Sequence, residues 1–142
     1  MAQPAIVLIS GFQSPIEDEI WQVIFRDCWQ IPDVGQAHLI RVLARGMKKR
    51  FSAREQYAHT IGRLVTIAPF PDSVKRITKQ TAYQRNLVAC ALADTVLILH
   101  AHEESETARL AAEVVGWGKR VMTVDHAENQ HLLDLGVKVY RE

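Results

Sequence analysis

Apolar residues in this chain gather in short runs separated by polar stretches of helical period. Six runs read as strands: Ala5–Ser10, His38–Leu43, Leu64–Ala68, Thr95–Ala101, Arg120–Val124 and a short Lys138–Tyr140. They are brief and rich in β-branched residues, as strands buried on both faces are. Between them the period changes to three or four. A first helix starts at Ser14-Pro15-Ile16-Glu17 and runs to about Trp29, with Ile16, Ile20, Trp21, Val23 and Ile24 as its apolar stripe. A second starts at Ser52-Ala53-Arg54-Glu55, carries Tyr57, Ala58 and Ile61, and ends at Gly62. A third spans about Thr78 to Ala93, with Ala82, Leu87, Val88, Ala91 and Leu92 toward the sheet. A fourth covers Thr107–Gly116 and is closed by Gly116 or Gly118, with Lys119 complementing its carboxyl-terminal dipole. Loops fall at Ile31-Pro32-Asp33-Val34-Gly35 and Pro69–Ser73. Strand and helix alternate throughout, which predicts an α/β fold: a doubly wound, mostly parallel sheet with helices on both faces, in a single domain over 1–142.

The first strand–helix junction carries the clearest chemical signal. In Ser10-Gly11-Phe12-Gln13-Ser14, Gly11 permits a tight turn, Ser14 is a cap, Pro15 suits the first helical position and Glu17 completes a capping box. A helix starting at the carboxyl end of a first parallel strand offers backbone N–H groups and a positive dipole end to an anion, and phosphate is the usual occupant. The alternative is that Gly11 serves the turn alone.

With 142 residues, 48% of them apolar, the chain can build one core. It has no apolar segment long enough for a bilayer and no signal-type leader, so a cytoplasmic protein with no membrane partner is expected. The two cysteines, Cys28 and Cys90, sit in apolar helical contexts and read as small core residues rather than metal ligands or a disulfide. The net charge of +1 conceals an asymmetry: eleven of the 17 Lys/Arg, but only Glu55 and Asp72 of the 16 acids, fall between Arg41 and Arg85. If those cations converge they mark an anionic partner; if they scatter they are solvated surface. The compact Lys48-Lys49-Arg50 after Arg45-Gly46 favours convergence.

The order of motifs resembles the bacterial DNA-processing family, DprA/Smf. Leu43-Ala44-Arg45-Gly46-Met47 followed by Ala58-His59 is similar to its Leu-Ala-Arg-Gly and Ala-His motifs. Arg85-Asn86-Leu87-Val88, Leu92-Ala93-Asp94 and Val96-Leu97-Ile98 resemble its Arg-Asn helix and following strand. Ser105-Glu106-Thr107-Ala108, Ala111-Ala112-Glu113 and Gly118-Lys119-Arg120-Val121 look like its next unit, and Asn129 through Leu133 with Gly136 like its closing helix. Each motif alone is weak; their order, over nearly the whole chain, is informative. The resemblance implies a Rossmann-like fold of the superfamily shared with lysine-decarboxylase-like phosphoribohydrolases, single-stranded DNA binding in support of recombinase loading, and dimerisation. Three places depart from the pattern: the first loop lacks an Arg after Gly11, Lys48 stands where the family usually has Asp, and His102-Glu103-Glu104-Ser105-Glu106 has three acids and no glycine.

The phosphoribohydrolase branch uses Pro-Gly-Gly-x-Gly-Thr-x-x-Glu, whereas residues 102–110 hold Thr107 without a glycine. Glu106 is the nearest substitute acid, although a carboxylate at a helix entry commonly complements the dipole. His100 and His102, at a strand end, are expected on opposite faces and not as joint metal ligands. His126 and His131 fall in an expected surface helix, and neither a Gly-x-Ser-x-Gly elbow nor a Walker loop is present. The ligand- or phosphate-binding set is therefore Gly11, Phe12, Gln13, Ser14, Arg45, Gly46, Phe70, Arg85, Asn86, Ser105 and Thr107, with no catalytic residue, metal or cofactor. In it, Arg85 forks onto phosphate and Asn86 pairs with a base or ribose edge, unless Asn86 caps a loop and Arg85 faces solvent. Phe12 and Phe70 stack on a base or close the core. The expected function is a non-enzymatic protein that binds a nucleotide-like ligand or single-stranded DNA. The alternative is a small-molecule nucleotide sensor or nucleoside-monophosphate phosphoribohydrolase. A Trp-rich first helix, with Trp21 and Trp29, suggests an open apolar face and a homo-oligomer.

Overall fold

Parallel pairing organises the strands into two three-stranded sheets. The computed structural model describes residues 6–27 and 37–141, and Ala5, Cys28, Trp29 and the Ile31–Gly35 loop lie outside them. In chain order the elements are β1 (Val7–Ser10), α1 (Pro15–Asp27), β2 (His38–Val42), α2 (Ala53–Thr60), β3 (Leu64–Ile67), α3 (Lys79–Leu92), β4 (Thr95–Ile98), α4 (Glu106–Gly116), β5 (Arg120–Thr123), a 3-10 turn (Ala127–Asn129), α5 (Gln130–Asp134) and β6 (Lys138–Val139). The sheet orders are β1-β2-β3 and β4-β5-β6. Leu8 pairs with Leu39 and Leu39 with Leu64 in the first; Val96 pairs with Val121 in the second. This is an α/β, Rossmann-like arrangement, and the chain divides after Arg85 into two compact units.

In the first unit the core is Phe12, Phe25, Leu39, Ala58 and Leu64, with Leu8, Ile20, Trp21 and Ile24 packed against it. The apolar stripe of α1 is thus rotated from the expected one: Ile20, Trp21, Ile24 and Phe25 face inward, while Ile16 and Val23 are 48% and 46% exposed. Aromatic area decides the facing, because Trp21 stacks on Phe25 at 4.2 Å and leans on Phe12 at 5.1 Å. The ring expected to open an apolar face is instead used inside. Helix α2 begins as its sequence predicts, with a reciprocal capping box between Ser52 and Glu55.

In the second unit Ala108, Leu110, Ala111 and Val114 of α4 are buried, as are Val121, Met122, Leu132 and Val137. Strand β4 stops at Ile98, short of the expected Ala101, because a side chain takes over the backbone partners. Asn129, fully buried, accepts from Ala101 N (3.2 Å) and donates to Leu99 O (3.0 Å). The buried Thr123 hydroxyl donates to Ile98 O at 2.7 Å. Gly118, at φ +78°, turns the chain after α4. Lys119 does not serve α4: its ammonium donates to Ala91 O (3.2 Å) and Ala93 O (2.7 Å), closing the carboxyl end of α3. Along α3, Tyr83 and Arg85 in the first unit and Ala89 and Cys90 in the second are buried, whereas the expected Ala91 and Leu92 are exposed. Burial pushes the Cys90 thiol up to about 11, against the opposing charge of Lys119, so it is an inert core residue.

Candidate functional site

Two loop systems in the first unit gather most of the expected ligand residues. At the β1–α1 junction, the hydroxyls of Ser10 and Ser14 both donate to the Glu17 carboxylate, the latter at 2.6 Å, and Ser14 N donates to it at 3.0 Å. Burial pushes the Glu17 carboxyl up, but those three hydrogen bonds and the charge of Arg85 outweigh it and hold the carboxyl below its usual range. The first turn of α1 is therefore complemented by a carboxylate of the chain itself. Behind it lies Arg85, only 5% exposed, whose Nη1 donates to Gln13 Oε1 (3.2 Å) and Val42 O (3.4 Å). Burial lowers its pKa and Glu17 raises it. A methyl group at Gly11 would overlap the guanidinium, so a glycine is needed there for close approach and not for a positive φ. Phe12 takes the left-handed conformation instead (φ 52°) and turns its ring onto Trp21. Gly11, Phe12, Gln13, Ser14 and Arg85 are thus brought together in a closed knot. The solvent-facing alternative for Arg85 is overturned by its burial.

The second system follows β2 and β3 at their carboxyl ends, the edge where parallel sheets bind ligands. Gly46 N donates to Val74 O at 2.8 Å, and a Cβ on Gly46 would lie 2.7 Å from both Asp72 Cα and Pro71 O. Only a glycine lets the two backbones meet this closely. The junction brings the Arg45–Arg50 segment beside the Phe70–Arg76 segment, so two basic clusters separated in sequence flank one contact. Lys49, Arg50, Lys75 and Arg76 are exposed there, and Phe70 is half-buried. Arg45 is half-buried, with its Nε enclosed and without a hydrogen-bond partner among the described residues. An unsatisfied guanidinium nitrogen costs about 1–3 kcal/mol.

Beneath these loops lies a charge cluster that the sequence did not reveal. Arg41 Nη1 contacts Glu55 Oε1 at 2.6 Å, Lys48 Nζ reaches the same oxygen at 3.5 Å, and the Arg41 guanidinium lies 4.9 Å from the Trp21 ring centroid. Burial raises the Glu55 pKa, but the Ser52 N–H, the Arg41 hydrogen bond and the charges of Arg41 and Lys48 bring it down to about 2. Glu55 therefore serves at once as cap and counter-ion. The signal was available in the period-2 pattern of β2, where Arg41 shares a face with the core residue Leu39. The neighbouring His59 bonds Thr66 Oγ1 at 2.9 Å and meets the Phe51 ring edge-on.

Asn86, Ser105 and Thr107 belong to the second unit. Asn86 and Thr107 are half-buried. Ser105 is the N-cap of α4, accepting from Ala108 N at 3.1 Å and donating to His102 O at 2.6 Å. Glu106 is exposed on the first turn, 3.7 Å from Arg109. The expectation that His100 and His102 point apart is incorrect: their Nε2 atoms are 3.4 Å apart. Residues two apart in extended chain share a face, so the period-2 pattern itself brings the two rings together just beyond the end of β4.

No protein-family model matches the chain, and no curated protein matches it in sequence. Among solved structures, the chain is similar to the X-ray structure of DNA processing protein A (DprA) from Streptococcus pneumoniae, with a TM-score of 0.68 and 14% identity. The match covers 94% of this chain and 47% of that one, so this chain spans about half the length of its structural neighbour. The DprA-like, Rossmann-type fold implied by the motif order is thereby shown.

Proposed function

We propose that this chain binds single-stranded DNA, without catalysing a reaction on it, through the basic surface built by the Arg45–Arg50 and Phe70–Arg76 segments. The observation that carries this reading is the Gly46–Val74 backbone junction, which joins Lys48-Lys49-Arg50 to Lys75-Arg76 beside the unsatisfied Arg45 Nε. Phosphates spaced along a strand suit several cations on an exposed surface. The name of the structural neighbour, DNA processing protein A, points to the same ligand class. An enclosed mononucleotide pocket draws less support, because Arg85 and Glu17 are engaged with their own neighbours. Glu106, the substitute acid of the hydrolase reading, is exposed and 3.7 Å from Arg109.

Fluorescence anisotropy with a labelled oligo-dT at low salt tests the proposal. The expected result is saturable binding that weakens at least tenfold in the Lys49→Glu/Arg50→Glu variant and in the Lys75→Glu/Arg76→Glu variant. Absence of binding at low salt, or loss from one segment but not the other, overturns the single-surface reading. A thermal shift with nucleoside monophosphates and none with DNA would favour the mononucleotide alternative.

A further inference from the structure

We propose that His100 and His102 form a two-imidazole chelate for a divalent transition-metal ion of the zinc, nickel or copper class, with Glu128 as the carboxylate that positions His100. The two Nε2 atoms are 3.4 Å apart, with ring centroids separated by 4.6 Å and planes at 84°. Two nitrogens bound to one tetrahedral ion at about 2.0–2.1 Å stand about 3.4 Å from each other, so the existing separation is already a chelate bite. Imidazole pairs suit zinc, nickel and copper, whereas calcium and magnesium take oxygen ligands.

A carboxylate stands on the far side of the first ring. His100 Nδ1 lies 3.5 Å from Glu128 Oε2. A carboxylate beside the ring nitrogen that does not bind the metal is the usual outer arrangement of a metal-binding histidine.

The loop is also held in place. Ala101, between the two histidines, is buried and bonded to Asn129 Oδ1, Leu99 O is held by Asn129 Nδ2, and His102 O accepts from the Ser105 hydroxyl. Little ordering entropy is then lost when the ion binds. Among the described residues no group of three or more potential ligands occurs, so water or an exogenous ligand completes the coordination. The site lies outside the basic segments, and its outcome is independent of DNA binding.

The test is titration of the metal-stripped full chain with Zn²⁺ or Ni²⁺ in competition with a chromophoric chelator. One equivalent is expected, with affinity reduced at least tenfold in His100→Ala and in His102→Ala. In Glu128→Gln the affinity should fall about tenfold with the stoichiometry kept. X-ray absorption of the nickel form should show two imidazoles. Circular dichroism checks that these variants, altered at exposed positions, keep the fold, and His102→Gln serves as a second variant. Equal affinity in the wild type and the His100→Ala/His102→Ala double variant overturns the proposal, because the other histidines would then account for all binding.

Discussion

Gly11 and Gly46 exclude a side chain for different reasons. At Gly11 the neighbour is the end of a long side chain, the Arg85 guanidinium, whereas at Gly46 it is the backbone of Pro71 and Asp72. Backbone cannot swing aside, so Gly46→Ala should separate the two basic segments and cost about 1–3 kcal/mol, comparable to overpacking a core. Denaturant melts and oligo-dT anisotropy should therefore change together in this variant. Unchanged stability would show that the Gly46–Val74 junction is dispensable. Glu55 gives a pH prediction with a definite sign. Its folded pKa of about 2 lies below the usual 4.5, so the stability it contributes is complete above about pH 4.5 and is lost as pH falls toward 2. Glu55→Gln should flatten the acid limb of the stability profile in that window. At neutral pH it should cost on the order of 2 kcal/mol, because Arg41 loses its counter-ion. An acid limb identical to wild type would assign the acid sensitivity to other carboxylates.

At the scale of elements, caps and side-chain clamps set the boundaries. Ser105 was legible as a polar residue at a helix entry, but its role depends on what its hydroxyl meets, and it meets Ala108 N and His102 O. Ser105→Ala should lower stability by about 1 kcal/mol and leave oligo-dT affinity within error. A drop in affinity without a change in stability would return Ser105 to the ligand-binding set. Asn129 is the stronger case, since its amide satisfies the backbone on both sides of His100. Asn129→Ala should cost about 2–3 kcal/mol and speed amide exchange at Ala101, because buried backbone groups lose their partners. The extent of β4 was misjudged for the same reason: an apolar pattern shows where a strand can run, not where a distant side chain replaces its ladder. The facing of α1 and α3 was likewise only half legible, because Trp21 and Arg85 are large enough to override a count of aliphatic residues.

Across the whole molecule the charge distribution makes the most exposed prediction. Single-strand binding releases counter-ions with a slope of about −0.7 per phosphate neutralised, so Arg45, Lys49, Arg50, Lys75 and Arg76 acting together should give roughly −3.5 in log K against log salt. Lys75→Glu/Arg76→Glu should reduce the slope by about 1–2. A slope near zero would mean that these cations do not meet phosphate. Among the described residues no helix is long and apolar enough to cross a membrane.

The sequence by itself determined the alternation of strands and helices, the parallel class of sheet, the capping of α2 and the DprA-like order of motifs. All of these depend on spacing and local backbone preference, which neighbouring residues carry between them. Tertiary structure alone decided that Arg85 is buried beneath Gly11, that Glu55 is the counter-ion of Arg41, and that Gly46 joins two basic segments. Those facts depend on which backbones and charges meet after the chain has turned back on itself. Burial and Coulombic energy are fixed by distance in space, and distance along the chain does not reveal them.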